Sequence, residues 1–194
     1  MYRKLIFIIS TVLLLTITAG IYGIVHDFIT YKISHEYYTK FKFVQFGFIT
    51  PDNKLPINTL QLLVATGWAA TWWVGCLAGL VFSLVAVYNT KIKNSIAFTL
   101  RATVIMFLTA IVCGLLGYNI GHFATPLSLP DLAEFCYECA TIKKPANFTT
   151  AGYIHNFSYI GGLLGIVLGV ASILKQRHNV AVKTELDKNR KPLA

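Results

Sequence analysis

Residues 5–25 read LIFIISTVLLLTITAGIYGIV, an apolar run of 21 residues without a charged side chain. A helix of about 20 such residues spans the hydrocarbon core of a bilayer. Arg3 and Lys4 precede the run, as in a signal peptide. However, the run is longer than the usual ~7–15 apolar residues of a signal peptide, and Thr18-Ala19-Gly20 is a weak cleavage site. We therefore predict an uncleaved membrane-spanning helix.

Three further stretches are long and apolar enough to cross a bilayer, and they cover about residues 60–88, 102–120 and 153–174. The 194-residue chain is 55% hydrophobic and only 13% charged, whereas a soluble domain carries about 25% charged residues. The sequence therefore predicts an all-α integral membrane protein, with residues 1–194 forming one four-helix bundle. A water-soluble globule is excluded.

Basic residues are distributed unevenly among the segments between these spans. Eleven Lys and Arg residues lie at the N-terminus, in the loop after residue 88 and in the tail 175–194, together with two acids. The loops 26–59 and 121–152 hold six basic and six acidic residues. By the positive-inside rule, both termini are cytoplasmic and the two long loops lie outside. The net charge of +9 thus favours topology and lipid attraction over nucleic-acid binding.

Glycines recur at helical spacing in the fourth span. Gly161, Gly165 and Gly169 form one ridge along the predicted helix. Small residues of this kind allow helices to approach closely in lipid. One interpretation is packing within a compact bundle. The alternative is a homo-oligomer, or a larger membrane complex, formed through this ridge.

The first outer loop contains an aromatic segment whose conformation the sequence leaves open. Phe41, Phe43, Phe46 and Phe48 alternate in part with polar residues, which indicates either a short strand or an interfacial amphipathic segment. A third alternative is a short helix that begins at His35-Glu36 with Ser34 as its N-cap.

Histidines and acids gather on the outer side, at the ends of the predicted spans. His26 and Asp27 close the first span, His122 closes the third, His155 opens the fourth, and Glu36 follows in the first loop. Ionisable groups at bilayer depth are costly and usually point into the bundle towards a partner. We therefore predict that these residues converge at one rim. Imidazoles and carboxylates are ligands for zinc or iron.

The predicted ligands are His26, His155 and either His122 or Glu36. Asp27 would orient a ligand or act as a general base. Tyr159, one turn after His155, or Tyr118, one turn before His122, would donate to a bound anion or orient a ligand. Hydrolysis of a lipid-linked or membrane-proximal substrate suits that depth. Two alternatives stay open: histidines that only bond loop backbone, and metal-free acid–base or proton-relay use.

Two cysteine pairs differ in their surroundings. Cys76 and Cys113 lie in predicted spans and are interpreted as small apolar packing residues. Cys136 and Cys139 form a C-x-x-C pair in the second outer loop. Such a pair is a structural disulfide, a pair of free or zinc-binding thiols, or a thiol–disulfide redox centre. The quinone-linked membrane oxidoreductases that it resembles need a second outer pair, which this sequence lacks.

The chain also resembles a family of small uncharacterised bacterial inner-membrane proteins. The resemblance rests on His26-Asp27, Ile29-Thr30, Glu36-Tyr37-Tyr38-Thr39, Ala69-Ala70-Thr71-Trp72-Trp73-Val74-Gly75 and His155 with Ser158-Tyr159. This sequence has His35 where the family has a proline. The resemblance implies four spans in a bacterial inner membrane and no particular reaction.

The sequence thus predicts a multi-pass protein in the lipid bilayer with a candidate His/carboxylate site at its outer rim, and leaves open whether it is an enzyme. The rival interpretations are a non-catalytic accessory subunit of a membrane complex and, more weakly, a redox protein that uses Cys136 and Cys139. Transport has the least support, because no predicted span carries a charge at mid-depth.

Overall fold

Four long helices dominate the computed structural model, which describes residues 2–49, 58–88, 90–123 and 141–189. Helices account for 92% of these residues, and no strand occurs among them. The elements are α1 (Tyr2–Ile33), α2 (His35–Tyr37), a π-helical segment (Tyr38–Lys42), α3 (Phe43–Gln45), α4 (Thr59–Val87), α5 (Ile92–Phe123) and α6 (Pro145–Asn189). The helices α1, α4, α5 and α6 are long and apolar enough to cross a membrane. The predicted all-α bundle with four candidate membrane spans is therefore confirmed. The single membrane domain, the cytoplasmic termini and the outer position of the two long loops stay predictions.

The long helices extend beyond the apolar runs from which they were predicted. Helix α1 continues for eight residues past Val25, and α6 begins eight residues before residue 153. Pro145 begins α6, a position at which proline costs no hydrogen bond. A capping box formed by Asn58 and Gln61 begins α4. Parts of the predicted outer loops are thus helical, so the residues at those positions lie on rigid elements rather than in loops.

The four helices form two close pairs, α1 with α4 and α5 with α6, with fewer contacts between the pairs. In each pair, glycines allow the two helix backbones to approach closely. A Cβ at Gly79 would lie 2.7 Å from Val12 Cα, and a Cβ at Gly165 would lie 2.7 Å from Met106 Cα. Backbone contact at this distance leaves no room for a side chain.

The glycine ridge of α6 is occupied within the chain. Gly161 and Gly165 face α5, and Gly169 faces Phe82 of α4 and Ala102 of α5. Of the two interpretations of this ridge, packing within the bundle is the one that the structure shows. The ridge therefore offers no free surface to a second copy or to another subunit.

The aromatic segment after α1 is helical and folds over one end of the bundle. Ser34 is the N-cap of α2, and its hydroxyl accepts a hydrogen bond from the backbone N–H of Tyr37 at 3.2 Å. The prediction of a capped helix is therefore confirmed, and the prediction of a strand is wrong. The cap satisfies a free N–H of the first turn, so that the helical path places Tyr38 and Phe43 in the core.

Candidate metal centre

Three side chains converge where α1 and α6 meet beneath the aromatic segment. His26 and Asp27 come from α1, and His155 comes from α6. Each offers one ligand atom, and these atoms all lie within 4.8 Å of one another. Because the two helices belong to different pairs, the group bridges the two halves of the bundle.

Asp27 is buried at the centre of this group and its two carboxylate oxygens differ. Oδ1 accepts a hydrogen bond from Lys42 Nζ at 2.6 Å. Oδ2 is also buried, and no partner for it occurs among the described residues. A buried carboxylate oxygen without a donor is costly, so Oδ2 is the atom most available to a ligand.

The two ring nitrogens of His155 have different roles. Nδ1 lies 2.8 Å from the carbonyl oxygen of Ala151, and because a carbonyl only accepts, Nδ1 carries the hydrogen. In the neutral ring Nε2 is then an acceptor, yet it lies 3.2 Å from Asp27 Oδ1, which is another acceptor. Two acceptors this close repel each other unless a hydrogen lies between them, on His155 or on the Asp27 carboxyl, or a cation lies beside them; the Lys42 ammonium is one such cation, and a bound metal ion would be another. A histidine that donates Nδ1–H to a backbone carbonyl is typical of metal ligands.

His26 completes the group from the adjacent position of α1. Its Nε2 lies 3.1 Å from Ser158 Oγ, and its Nδ1 lies 3.7 Å from Asp27 Oδ1. The His26 ring stands edge-on to the ring of His155, with 4.7 Å between centroids. The bond to Ser158 thus fixes one nitrogen of His26, while the other faces the carboxylate.

Aromatic side chains of the folded-over segment seal the group. Tyr37 stacks on the His155 ring at 5.0 Å, and the Tyr38 hydroxyl lies 2.5 Å from Thr30 Oγ1 and 3.4 Å from His155 Nε2. Burial, followed by the nearby Asp27 charge, raises the pKa of the Tyr38 phenol well above its usual range. Burial also raises the pKa of Tyr37. Both phenols are therefore neutral hydrogen donors at physiological pH.

Lys42 is the site residue that the sequence reasoning missed. It is 1% exposed and lies at the end of the π-helical segment, an element that is frequent at functional sites. Burial lowers the pKa of the Lys42 ammonium, and the Asp27 carboxylate opposes that shift. The available signal was a lone lysine between Phe41 and Phe43 in an aromatic run.

A cavity of about 290 Å³ adjoins the group and lies between the two helix pairs. Residues of α1, α3, α4, α5 and α6 line it. Tyr159 and Tyr22 are among them, as are His26 and Asp27. Tyr159 also contacts the site directly, since its ring centroid lies 6.1 Å from that of His155. The group therefore opens onto a space of the size that a small ligand fills.

Two of the predicted ligands lie elsewhere. The Glu36 carboxylate accepts backbone N–H bonds from Lys143 at 2.9 Å and from Lys144 at 3.0 Å. It therefore ties α2 to the chain that leads into α6. His122 is exposed at the end of α5 and stacks on Tyr118. The group that the structure brings together is thus smaller than the predicted five residues, because these two side chains have other partners.

The predicted C-x-x-C pair, Cys136 and Cys139, lies outside the described residues. Its structural, metal-binding and redox interpretations therefore stay predictions. Cys76 and Cys113 are described, and both are free thiols, partly buried in α4 and α5.

Comparisons with family models, with curated proteins and with solved structures give no match. The resemblance to small bacterial inner-membrane proteins therefore stays a prediction, as does the bacterial inner membrane as its location.

Proposed function

We propose that this protein is a membrane-embedded metalloprotein in which His26, Asp27 and His155 hold a zinc or iron ion. The observation that carries the proposal is the acceptor pair formed by His155 Nε2 and Asp27 Oδ1, 3.2 Å apart. A metal ion beside these atoms turns their repulsion into attraction. The unpartnered Oδ2 of Asp27 supports the proposal, because it supplies a ligand atom that Lys42 does not occupy.

Two histidines and one carboxylate are a ligand set common to zinc hydrolases and to iron oxygenases. Three protein ligands leave a coordination position for water, which a bound zinc ion activates near neutral pH. The adjoining cavity gives a substrate access to that position. We propose hydrolysis of a membrane-proximal substrate as the reaction class, with Tyr159 as a hydrogen donor at the cavity wall. Asp27 acts as a ligand in this proposal, while Glu36 and His122 lie outside the ligand set.

Metal analysis of the purified protein tests the proposal. The protein carries an affinity tag without histidines and is purified in detergent that has been freed of metals. We expect about one zinc or iron per chain in the wild type and a large loss in His26→Gln, since affinity depends on the number of ligands and this variant removes one of three. His26 is only partly buried, so this variant disturbs packing less than a change at His155.

His122→Gln is the matched control, because it removes another imidazole at a helix end but lies outside the group. It should retain the metal of the wild type. A content below about 0.2 metal per chain in wild-type protein that is folded would refute the proposal. Equal loss from both variants would also contradict it, because the metal would then not depend on the group.

A second candidate is a non-catalytic accessory subunit, favoured by one observation. Lys42 already neutralises Asp27 at 2.6 Å, so the buried carboxylate has a counter-ion without a metal. In that case the group is a buried polar network that fixes the position of α6 against α1. The same metal analysis separates the two candidates.

A further inference from the structure

The cavity beside the group is walled by helices that are long and apolar enough to cross a membrane. Its walls come from all four spans and from α3. Ala69, Ala70 and Met106 are typical of the lining, which is mostly apolar. An aqueous solute has little to gain in such a space, whereas an alkyl chain buries its surface there.

The cavity has one polar end and one end towards the outer surface of the bundle. Trp73 and Leu163 line it and are 49% and 51% exposed, so its mouth lies on the face that the bundle presents to lipid. His26 and the buried Asp27 line its inner end. A molecule that enters from the bilayer therefore meets apolar walls first and the candidate metal ligands last.

The charges at the inner end favour an anion. Lys42 neutralises Asp27, so a divalent ion held by the group leaves an excess of two positive charges near the cavity. Tyr22 and Tyr159 add phenols to the lining, and phenols donate hydrogen bonds to anionic oxygens.

We propose that the cavity binds the alkyl chain of a membrane amphiphile whose anionic oxygen head group, a phosphate or a carboxylate, contacts the metal at the inner end. This inference rests on the proposed metal site and names the substrate class for it. The chain lies along α4 and α6, and the head group lies between His26 and Tyr159.

Gly162 offers a way to fill the cavity without disturbing the packing. It lines the cavity, and a Cβ built there meets no atom within 4 Å. Gly162→Leu therefore places a side chain in the cavity and leaves the three ligands untouched. Ala69→Leu fills it from the opposite pair of helices. Ala171→Leu adds the same bulk at an exposed position of α6 and is the matched control.

Photolabelling in phosphatidylcholine vesicles tests the inference. Three probes carry the same diazirine-bearing hexadecyl chain, on a carboxylate, on a phosphate and on a neutral hydroxyl. We expect one or both anionic probes to label residues 69–74 and 162–163 more strongly than the neutral probe. Labelling by the anionic probes should fall to about one-tenth in Gly162→Leu and Ala69→Leu, because the space is filled, and should persist in Ala171→Leu. The two anionic probes also distinguish a phosphate head group from a carboxylate.

Metal content measured on the same preparations separates the two proposals. Uniform labelling of the lipid-facing surface, or labelling that both filling variants leave unchanged, overturns the inference even where one metal per chain is present. Equal labelling by the three probes overturns the anionic head group. Localised labelling of protein that holds no metal overturns the proposed function, and with it the contact between head group and metal.

Discussion

Replacing Asp27 by Asn tests the buried ion pair on which the site is built. Asp27 and Lys42 are each 1% exposed and their charged atoms are 2.6 Å apart. Asn keeps an acceptor for Lys42 but removes the charge, so the ammonium is left buried without compensation. Breaking a buried pair from one side costs about 3–5 kcal/mol. A protein of this size loses roughly 2–4 °C in Tm per kcal/mol, so we expect a decrease of about 6–20 °C.

The assay is thermal unfolding in detergent, followed by tryptophan fluorescence. A chelator is present throughout, so that loss of the ion pair is separated from loss of a metal. Lys42→Met in the Asp27→Asn background is the decisive companion variant. With both charges gone, no buried ion remains unpaired, and we expect most of the lost stability to return.

Two results would refute this reasoning. One is a Tm of Asp27→Asn within about 2 °C of the wild type, which would mean that Lys42 finds another acceptor or reaches water. The other is a double variant less stable than Asp27→Asn, which would mean that Lys42 stabilises the fold through its packing rather than through the charge of Asp27.

Three further predictions use the same unfolding assay. Thr66→Val should raise the Tm by about 2–4 °C, because the buried Thr66 hydroxyl has no partner among the described residues and valine removes that cost; an unchanged or lower Tm would contradict this. Burial raises the pKa of Glu36, but the backbone N–H donors outweigh burial and hold the pKa below 4.5. The stabilisation by Glu36 is therefore present above about pH 4.5 and is lost as the pH falls further. Glu36→Gln should be less stable than the wild type at pH 7 by about 1 kcal/mol and equal to it near pH 3, and a pH-independent difference would refute the assignment. Gly165→Ala should cost about 1–3 kcal/mol, since its Cβ would lie 2.7 Å from Met106 Cα, whereas Gly162→Ala should be neutral or stabilising; similar effects of the two would exclude the packing described.

The spans were predictable because a helix that crosses the bilayer needs about 20 consecutive apolar residues, and such uncharged stretches can be read directly from the sequence. The pattern gave four helices, but their outer ends follow from capping and from tertiary contacts rather than from hydropathy. Asp27 shows the difference: the first outer loop was predicted to begin at residue 26, yet α1 continues to Ile33 with Asp27 inside it, because the Lys42 ammonium neutralises the buried carboxylate.

The candidate site was predictable in part. His26 and His155 lie at the ends of spans, and the topology alone placed those ends on one rim. Lys42 was not predictable, because a lysine in an outer loop is normally solvated and only the helical path of residues 35–45 buries it. Glu36 was predicted as a possible metal ligand, but its carboxylate accepts hydrogen bonds from the backbone N–H groups of residues 143 and 144. No pattern of side chains in the sequence indicates where those backbone groups lie.

The division of the bundle into two pairs has a consequence for how the protein responds to its surroundings. The α1–α4 pair carries His26 and Asp27, the α5–α6 pair carries His155, and a short connection after Val87 joins the two pairs. In the proposed function, one ion bound by all three residues connects the two helix pairs. Ion binding and the association of the pairs are then linked, and each strengthens the other by the same factor. Bilayer thickness and lateral pressure act on that association, so under the proposed function the bulk lipid composition becomes an effector of ion affinity, independently of any amphiphile bound in the cavity.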